Sequence, residues 1–411
     1  MAICIATASR TDARPVTNRL LYVSNAMDDT LRTNRRIETD SPAASRKVFG
    51  VALASRSVGI RAVVVSLGRG RPTGTMGWWS RRVYRVGGVP VVYLPYVNVP
   101  VLSHAVSIGA LGALMIRMAW RQRDTTVLFY NRAGLYLLGV VIARIAGMRT
   151  ALDLEDGAVE RDMKAIAAAG ARFYRRVFDA FCPGGALLAC EALRATTGIR
   201  PAAPCYGVVR GRQSPERWRA RDIAALYGGT LEEDTGARLL LAAVEAIRSS
   251  GLDWAKGLTI EVTGKGSAMR EFEAAARDPR APRLVVHGRL DDATYRAVMA
   301  RMQVGLALKT TSGGYASTTF PSKVVELAGE GILVVTTDIS DVRHVLGDGA
   351  CYLERDDAAL LVERLRWVVE MRAAAAERAS LGAAAVAARC SPSAVGELVR
   401  RVLFAQVLDA R

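Results

Sequence analysis

Residues 318–338 read TTFPSKVVELAGEGILVVTTD and predict a loop, a helix, a turn and a strand in that order. The helix begins at Pro321 and Ser322, where proline is tolerated because the first N–H groups of a helix have no intrahelical acceptor. These N–H groups and the positive end of the helix dipole favour an anion such as phosphate. One turn further along, Glu326 is a single charge in an otherwise apolar helix. The stretch therefore predicts an α/β unit with a polar site at its helix start.

The same alternation of strands and helices runs along the whole chain of 411 residues, which is longer than one core usually supports. In the first half, strands are predicted at 20–24, 62–66, 90–93, 126–130 and 150–154, with helices at 43–58 and 134–146. In the second half, strands are predicted at 225–227, 258–263, 283–287, 304–308 and 332–336, with helices at 236–249, 268–276 and 292–301 and from Pro321. This alternation is typical of parallel sheets covered on both faces. We therefore expect two doubly wound α/β domains.

A segment rich in Pro, Gly and Arg and without periodicity separates the two halves, and it places the interdomain linker near residues 201–221. We expect the domains to enclose a cleft. In open parallel sheets, ligands bind beyond the carboxyl ends of the strands. Glycines recur in the loops that follow the second-half strands, at 228–229, 264–266 and 288. Glycine there allows a ligand to approach the backbone, although any α/β protein also needs glycines for turns.

Net charge is concentrated in the first half. Residues 1–210 hold 29 Lys or Arg and 13 Asp or Glu, a net charge of +16, whereas residues 211–411 hold 27 and 26. Such a field suits an anionic membrane surface or another polyanion, and a solvated basic face is the plain alternative. Nucleic acid is the weakest candidate, because no aromatic–basic interleaving, zinc module or helix-turn-helix pattern accompanies the charge.

The longest stretch without a charged residue, 86–116, raises the question of a membrane span. Prolines interrupt its first half, and its remaining apolar part, within a helix predicted at about 101–120, is shorter than the ~20 residues of a spanning helix. We predict a buried or interfacial helix.

Cysteine and histidine usage predicts a cytoplasmic protein without a metal site. Six cysteines are scattered without a C-x-x-C pair, and the three histidines lack metal-ligand spacing. The first residues, MAICIATASRTDAR, have neither the basic region nor the apolar region of a secretory leader.

Four motifs in order resemble the GT-B glycosyltransferases, and more narrowly the nucleotide-sugar-dependent glycosyltransferase family 4, in a Pro-Ser-Lys variant of its donor motif. They are VTGKG at 262–266, VHGRL at 286–290, FPSKVVE at 320–326 and GILVVTTD at 331–338. The resemblance covers about residues 225–365 and is looser in the first half. It implies two Rossmann-like domains facing each other across a cleft, with the acceptor held by residues 1–205 and the donor by residues 206–390. It also implies that a final helix, within residues 391–411, packs back on the first domain.

The resemblance assigns a role to the charge in the apolar helix. Glu326 would accept hydrogen bonds from the two ribose hydroxyls of the donor, a task that suits an acceptor-only carboxylate. Ser322 and Lys323 would face the diphosphate. An exposed helix glutamate and a solvated lysine are the plain alternatives. The other donor-binding residues that the resemblance implies are Phe320, Pro321, Gly229, Thr230, Gly264, Lys265, Arg289, Leu290 and Thr318.

The sequence also departs from the family pattern. Thr318 stands where family members often have a first glutamate that contacts the sugar. Thr230 and Thr235 stand where an arginine and a lysine often neutralise the diphosphate. We expect Lys323, together with Lys265 or Lys309, to supply that charge.

An acidic pair, Glu155 and Asp156, follows a predicted strand at 150–154 and is the candidate catalytic pair. A carboxylate at a strand end, facing a cleft, can orient an acceptor hydroxyl or take its proton. Carboxylates at a helix start are also common as caps, which is the structural alternative.

The sequence thus predicts a glycosyltransferase that moves a sugar from a nucleoside diphosphate sugar to an envelope polysaccharide or lipid-linked acceptor, with retention. It predicts no essential metal or cofactor, no nucleic-acid partner, and a peripheral location on the inner face of the cell membrane. A catalytically silent nucleotide-sugar-binding or scaffold protein is the alternative, and a sugar-nucleotide epimerase is a third.

Overall fold

A computed structural model describes residues 18–72, 76–99, 101–121, 124–155, 165–209, 211, 215–312 and 316–408. Two separate large sheets organise them, one in each half of the chain.

The first half is built on an eight-stranded sheet with the order β12-β11-β10-β9-β1-β3-β7-β6. Two short two-stranded ribbons, β2 with β4 and β5 with β8, lie beside it. The strands are β1 (Arg19–Ser24), β2 (Ile37–Thr39), β3 (Arg61–Ser66), β4 (Arg71–Pro72), β5 (Trp78–Trp79), β6 (Arg82–Val86), β7 (Val89–Tyr93), β8 (Tyr96–Val97), β9 (Thr125–Tyr130), β10 (Arg149–Leu154), β11 (Ala186–Leu188) and β12 (Ala202–Pro204). The helices are α1 (Asp29–Asn34), α2 (Pro42–Ser57), α3 (Leu102–Arg121), α4 (Leu137–Ile145) and α5 (Ala165–Phe181).

The second half is built on a six-stranded, wholly parallel sheet with the order β15-β14-β13-β16-β17-β18. Its strands are β13 (Ile223–Thr230), β14 (Leu258–Lys265), β15 (Arg283–Gly288), β16 (Val304–Ala307), β17 (Leu333–Thr337) and β18 (Ala350–Leu353). Its helices are α6 (Ala237–Ser250), α7 (Met269–Ala276), α8 (Asp292–Ala300), α9 (Ser322–Gly329), α10 (Val342–Leu346), α11 (Ala358–Glu370) and α12 (Arg372–Cys390), and α13 (Pro392–Leu408) ends the described chain.

The predicted fold class is confirmed, and the ten predicted strands are present within a few residues. Two expectations about the first half were wrong. Its sheet is not wholly parallel, because β6 pairs antiparallel with β7 in a hairpin turned by Gly87 and Gly88, both with positive φ. The proposed linker also began too early, since residues 202–204 form edge strand β12, in parallel register with β11.

Helices cover both faces of the first sheet. On one face α2 and the final helix α13 pack together, and Arg400 of α13 donates to the carbonyl of Val58 just after α2 (3.1 Å). On the other face α3, α4 and α5 lie side by side. Helix α13 thereby ties the end of the chain to the first domain.

Helix α3 has one buried face and one exposed face. It is 20 residues long, and by length and composition it is apolar enough to cross a membrane, so the expectation that its apolar part is too short was wrong; a third of its most apolar window is buried. The buried positions face α4, where Gly112 and Gly139 allow the two helices to approach closely.

Candidate functional site

A cavity of about 710 Å³ lies between the two sheets and receives residues from both halves. The second half contributes the loops that follow β13, β14, β15 and β16, together with the segment leading into α9. The first half contributes the start of α2 and the segment before it. These are the loops at the carboxyl ends of parallel strands, where a doubly wound sheet binds its ligands.

The wall of the cavity carries most of the predicted donor residues. The sequence-predicted members are Gly229, Thr230, Gly264, Lys265, Arg289, Leu290, Phe320, Pro321, Ser322 and Lys323. The loops that hold them are separated by up to 94 positions along the chain and are assembled by the sheet order. The strand ends, the glycines and the order of the motifs therefore predicted these residues of the wall.

Two glycines bring the first two loops together. Gly229 and Gly264 are paired in the register of β13 and β14, and both have positive φ (133° and 132°). A Cβ atom on Gly264 would lie 1.8 Å from the carbonyl oxygen of Gly229, so no other residue fits there. The close approach leaves backbone, rather than side chains, at this part of the wall.

Helix α9 begins at this wall. Pro321 is its extended N-cap residue, and the N–H of Val324 closes the first turn on the carbonyl of Pro321 (2.9 Å). Phe320 fixes the approach by packing against Tyr206, with ring centroids 4.7 Å apart. The first N–H groups of the helix point toward its N-terminus, and Ser322 and Lys323 line the cavity there.

Glu326 lies one turn inside α9 in a cluster of ion pairs. One carboxylate oxygen is 2.9 Å from Lys323 Nζ, and the other is 3.3 Å from Nε of Arg46 on α2. Lys323 also donates to the hydroxyl of Tyr295 (2.7 Å) and lies over its ring. Arg46 reaches Asp292 as well (3.2 Å). Since each carboxylate oxygen has two lone pairs, Glu326 retains capacity for two hydroxyl donors.

The charges around Glu326 keep it ionised. Burial by itself raises the pKa of Glu326, but Lys323 and Arg46 outweigh that effect, and the pKa lies below its ordinary value. The pKa of Lys323 is raised, because Glu326 and Tyr295 overcome the opposite effect of burial. At neutral pH Glu326 is therefore an anion between two cations.

Thr230 and Thr235, which replace the two expected cations, have a different use. The Thr235 hydroxyl donates to the carbonyl of Thr230 (2.6 Å) and accepts from the N–H of Glu232 (3.0 Å). The pair thus closes the loop after β13 into a compact turn. The positive charge of the cavity wall comes from other residues: Arg46, Lys265, Arg289, Lys309 and Lys323.

Lys265 and Arg289 are also bound to the first half. Both donate to the carbonyl of Glu38, and Arg289 is 2.6 Å from the carboxylate of Asp40. Burial and the neighbouring Arg289 lower the pKa of Lys265. These two cations lie at the edge of the cavity and bridge the domains.

A second cavity of about 340 Å³ adjoins the first and is lined by Glu326, Arg46, Lys47 and Glu155. It therefore joins the predicted donor glutamate to one member of the predicted catalytic pair. Lys47, on α2 next to Arg46, pairs with Glu155 and lies 3.3 Å from the carboxylate of Asp153. Asp153 is fully buried and also accepts from the hydroxyl of Tyr22.

Glu155 is held in the opposite electrostatic state to Glu326. Burial raises the pKa of Glu155 most, Lys47 lowers it and Asp153 raises it again, and the balance is a pKa of about 8. A carboxyl group that titrates near neutral pH is suited to exchange a proton.

The other predicted residues are Glu326, Thr318 and Asp156. Glu326 lines the smaller cavity, whereas Thr318 lines neither of the two cavities, and its neighbour Thr319 lines the larger one. Asp156 lies outside the described residues.

Sequence reasoning missed Arg46, Lys47 and Tyr295. The two basic residues are in α2, far from every recognised motif, and only the fold brings Arg46 to Glu326 and Lys47 to Glu155. Their position shortly after the helix start at Ser41 and Pro42, in the more basic half of the chain, could have identified them as candidates.

Within the described residues, no group of three or more His, Cys, Asp or Glu side chains is arranged to hold a metal ion. The five cysteines in the described ranges are all buried free thiols.

Comparison with known proteins agrees with this geometry. Residues 223–371 match the family model Glycosyl transferases group 1. HepE from Anabaena, solved in complex with UDP, has a TM-score of 0.65 at 13% identity and covers 96% of this chain and 100% of its own. The fold is GT-B. No curated protein matches the chain.

Two further GT-B structures cover nearly the whole chain. Sucrose-phosphate synthase from Thermosynechococcus elongatus has a TM-score of 0.65 at 12% identity, covering 96% of this chain and 100% of its own. A UDP-forming alpha,alpha-trehalose-phosphate synthase from Burkholderia xenovorans, in complex with glucose-6-phosphate, has a TM-score of 0.64 at 14% identity, covering 94% and 100%. At these identities the likeness establishes the GT-B fold.

Proposed function

We propose that this protein is a retaining glycosyltransferase of family 4, which moves a hexose from a nucleoside diphosphate sugar to an envelope polysaccharide or lipid-linked acceptor. The observation that carries the proposal is the start of α9, which opens on the larger cavity with Lys323 and Glu326 paired one turn in. The match of residues 223–371 to the group 1 glycosyltransferases supports it.

The proposed donor lies along the wall formed by the loops after β13, β14 and β15. Its diphosphate faces the N–H groups at the start of α9, with Lys323 and Arg46 as the nearest cations. Its ribose hydroxyls donate to the ionised carboxylate of Glu326. HepE has also been solved with UDP-glucose, which makes UDP-sugars the first donors to test.

The proposed acceptor enters from the first domain, where Glu155 lines the second cavity. With a pKa of about 8, Glu155 can accept a proton from an acceptor hydroxyl or orient it. We propose that no metal is required, because the cations of the wall offset the charge of the diphosphate. The basic first domain favours a location at the cytoplasmic face of the membrane, with no nucleic-acid partner.

A catalytically silent nucleotide-sugar-binding or scaffold protein remains the second candidate. Thr230, Thr235 and Thr318 favour it, because they replace charged residues on which the family chemistry often depends. An epimerase would use a free cytosolic substrate, for which a basic acceptor domain has no purpose.

One experiment separates these functions. The full-length protein is incubated with UDP- and GDP-sugars, with and without EDTA, and nucleotide-sugar binding, nucleoside diphosphate release and sugar isomers are measured. A transferase releases the diphosphate, by transfer to acceptor or slowly to water, and EDTA leaves the rate unchanged. Binding without release identifies the silent protein, and a new sugar isomer identifies the epimerase.

A further inference from the structure

The face of the first domain that points away from α2 and α13 is formed by α3, α4 and α5. We propose that this face docks on an anionic lipid bilayer. The assignment deepens the membrane location in the proposed function and rests on that part of it, but it does not depend on the donor site.

One stripe on the exposed face of α3 is apolar along the length of the helix. Its outward positions recur at spacings of three and four and so share one side of the helix: Leu102, Ala105, Gly109, Ala113, Ile116 and Trp120. The helix is 20 residues long, so the stripe extends for roughly 30 Å. Trp120 is 83% exposed. A solvent-facing helix surface normally carries charges, so this apolar stripe indicates a contact with an apolar partner.

The two neighbouring helices continue the apolar surface. On α4, Leu138 and Ile145 are exposed, with Val141 and Ile142 half-buried between them. On α5, Ile166 is 90% exposed and Phe173 is also exposed. Since α3 packs on α4 and α4 packs on α5, these exposed apolar positions lie on neighbouring helices, and together they are called the apolar layer. Three helices side by side present a broad face rather than a groove for a single peptide.

Arginines border this layer and fit it to an anionic partner. The three helices carry six arginines and one acidic residue: Arg117, Arg121, Arg144, Arg172, Arg175, Arg176 and Asp179. Asp179 is paired with Arg132 (3.1 Å), and basic side chains outnumber acidic ones on the three helices. Apolar side chains with a tryptophan, bordered by arginines, match the acyl boundary and headgroups of an anionic leaflet.

The same face offers less to a protein partner. Protein interfaces place charged residues at a rim around a well-packed apolar centre with matching hydrogen bonds. Here three of the six positions in the α3 stripe are Ala or Gly, which gives little to interlock with a folded surface. A second copy of this chain would also bring six further arginines against the first six. A bilayer can accommodate the flat apolar stripe, and its anionic headgroups attract the arginines.

The test is flotation of the full-length protein with vesicles of phosphatidylcholine alone and with 30% phosphatidylglycerol added. The parent is expected to float with anionic vesicles and to be released by salt. The double variant Trp120→Ser with Ile145→Ser is expected to partition at least tenfold less. Its matched control is Met371→Ser with Leu381→Ser, which removes two exposed apolar side chains of the second domain and leaves partition unchanged.

A second variant tests the charges. Reversal of Arg117 and Arg121 to Glu is expected to lower partition by more than tenfold, since each basic residue near an anionic surface contributes roughly fivefold. Reversal of Arg219 and Arg355, exposed on the second domain, is the control. Nucleotide titration of each variant must match the parent, which separates this surface from the donor site.

Three results would overturn the proposal: equal binding to neutral and anionic vesicles, unchanged flotation of the Trp120 and Ile145 variant, or a parent dimer in sedimentation analysis that this variant converts to monomer. The last would identify the face as a contact between copies.

Discussion

Two carboxylates in the cleft, Glu326 and Glu155, are equally buried, with side chains 19% and 17% exposed, and each is paired with a lysine. Their pKa values nevertheless move in opposite directions. Glu326 lies between two cations and its pKa falls, whereas Glu155 shares one lysine with the buried Asp153 and its pKa rises to about 8. Burial raises the pKa of both carboxylates, and the number of neighbouring cations that oppose it decides which one stays ionised. Glu326 is thereby suited to hold hydroxyl groups, and Glu155 to exchange a proton.

The largest effect is expected from Glu155→Gln. If Glu155 exchanges a proton with the acceptor, its loss lowers kcat by about a hundredfold to ten-thousandfold and leaves nucleotide affinity unchanged. Because the base must be deprotonated, the parent rate should rise with pH through an apparent pKa of about 8. The variant's profile should lack that rise. Steady-state kinetics from pH 6 to 9 and calorimetric titration measure the two quantities, and a kcat within twofold of the parent would remove Glu155 from the chemistry.

Lys323→Ala is expected to weaken binding of a nucleoside diphosphate about tenfold, since a charge-assisted hydrogen bond contributes roughly 1.5 kcal/mol. Binding of the nucleoside without phosphates should change less. Lys256→Ala, which removes an exposed lysine paired with Asp253, is the control. Calorimetric titration with both ligands measures the two affinities. A nucleoside diphosphate affinity equal to that of the parent would contradict a phosphate role for Lys323.

Arg46→Ala should have a smaller effect, up to about fivefold on nucleoside diphosphate affinity, because the side chain is 35% exposed and solvent screens its pairs. Arg46→Lys should recover most of the loss, as it keeps the charge. Together the two variants test whether nucleotide binding at Glu326 needs both cations. An Arg46→Ala protein that binds nucleotide more tightly would show instead that Arg46 competes with the ligand.

Many residues that line the larger cavity could be predicted from sequence, because strand ends, glycines and a helix start are local features and parallel sheets align them at one edge. Gly229 and Gly264 illustrate this: each follows an apolar strand, and the sheet places them side by side. The role of Glu326 came from motif order, and its position in α9 was correct.

The partners of Glu326 and Glu155 could not be predicted in the same way. Arg46 and Lys47 lie about 280 and 108 positions from these glutamates along the chain, and neither belongs to a pattern with a fixed spacing. The hairpin of β6 and β7 was not predicted either, because Gly87 and Gly88 lie at the start of the long uncharged stretch and not between two predicted strands. Long-range pairing depends on how domains and helices pack, and that information is spread over the whole sequence.

The smallest effect concerns stability. Since the folded-state pKa of Glu155 is raised from its ordinary value of 4.5 to about 8, folding favours its protonated form. Its contribution is complete below pH 4.5 and is lost as pH rises to about 8. The Tm of the parent minus that of Glu155→Gln should therefore fall across this range and then level off. A difference that grows with pH would mean that Lys47 holds Glu155 ionised.

The central claim is that Glu326 holds the ribose of a nucleotide donor, and calorimetric titration of UDP and GDP into the parent, Glu326→Ala and Glu273→Ala tests it most directly. Glu273 is an exposed glutamate of α7, away from both cavities, and serves as the matched control. We predict that one nucleotide binds the parent and the Glu273→Ala protein equally, and the Glu326→Ala protein about a hundredfold more weakly, because two charge-assisted bonds are lost. Equal affinity of a folded Glu326→Ala protein, or no binding of either nucleotide by the parent, would contradict the account.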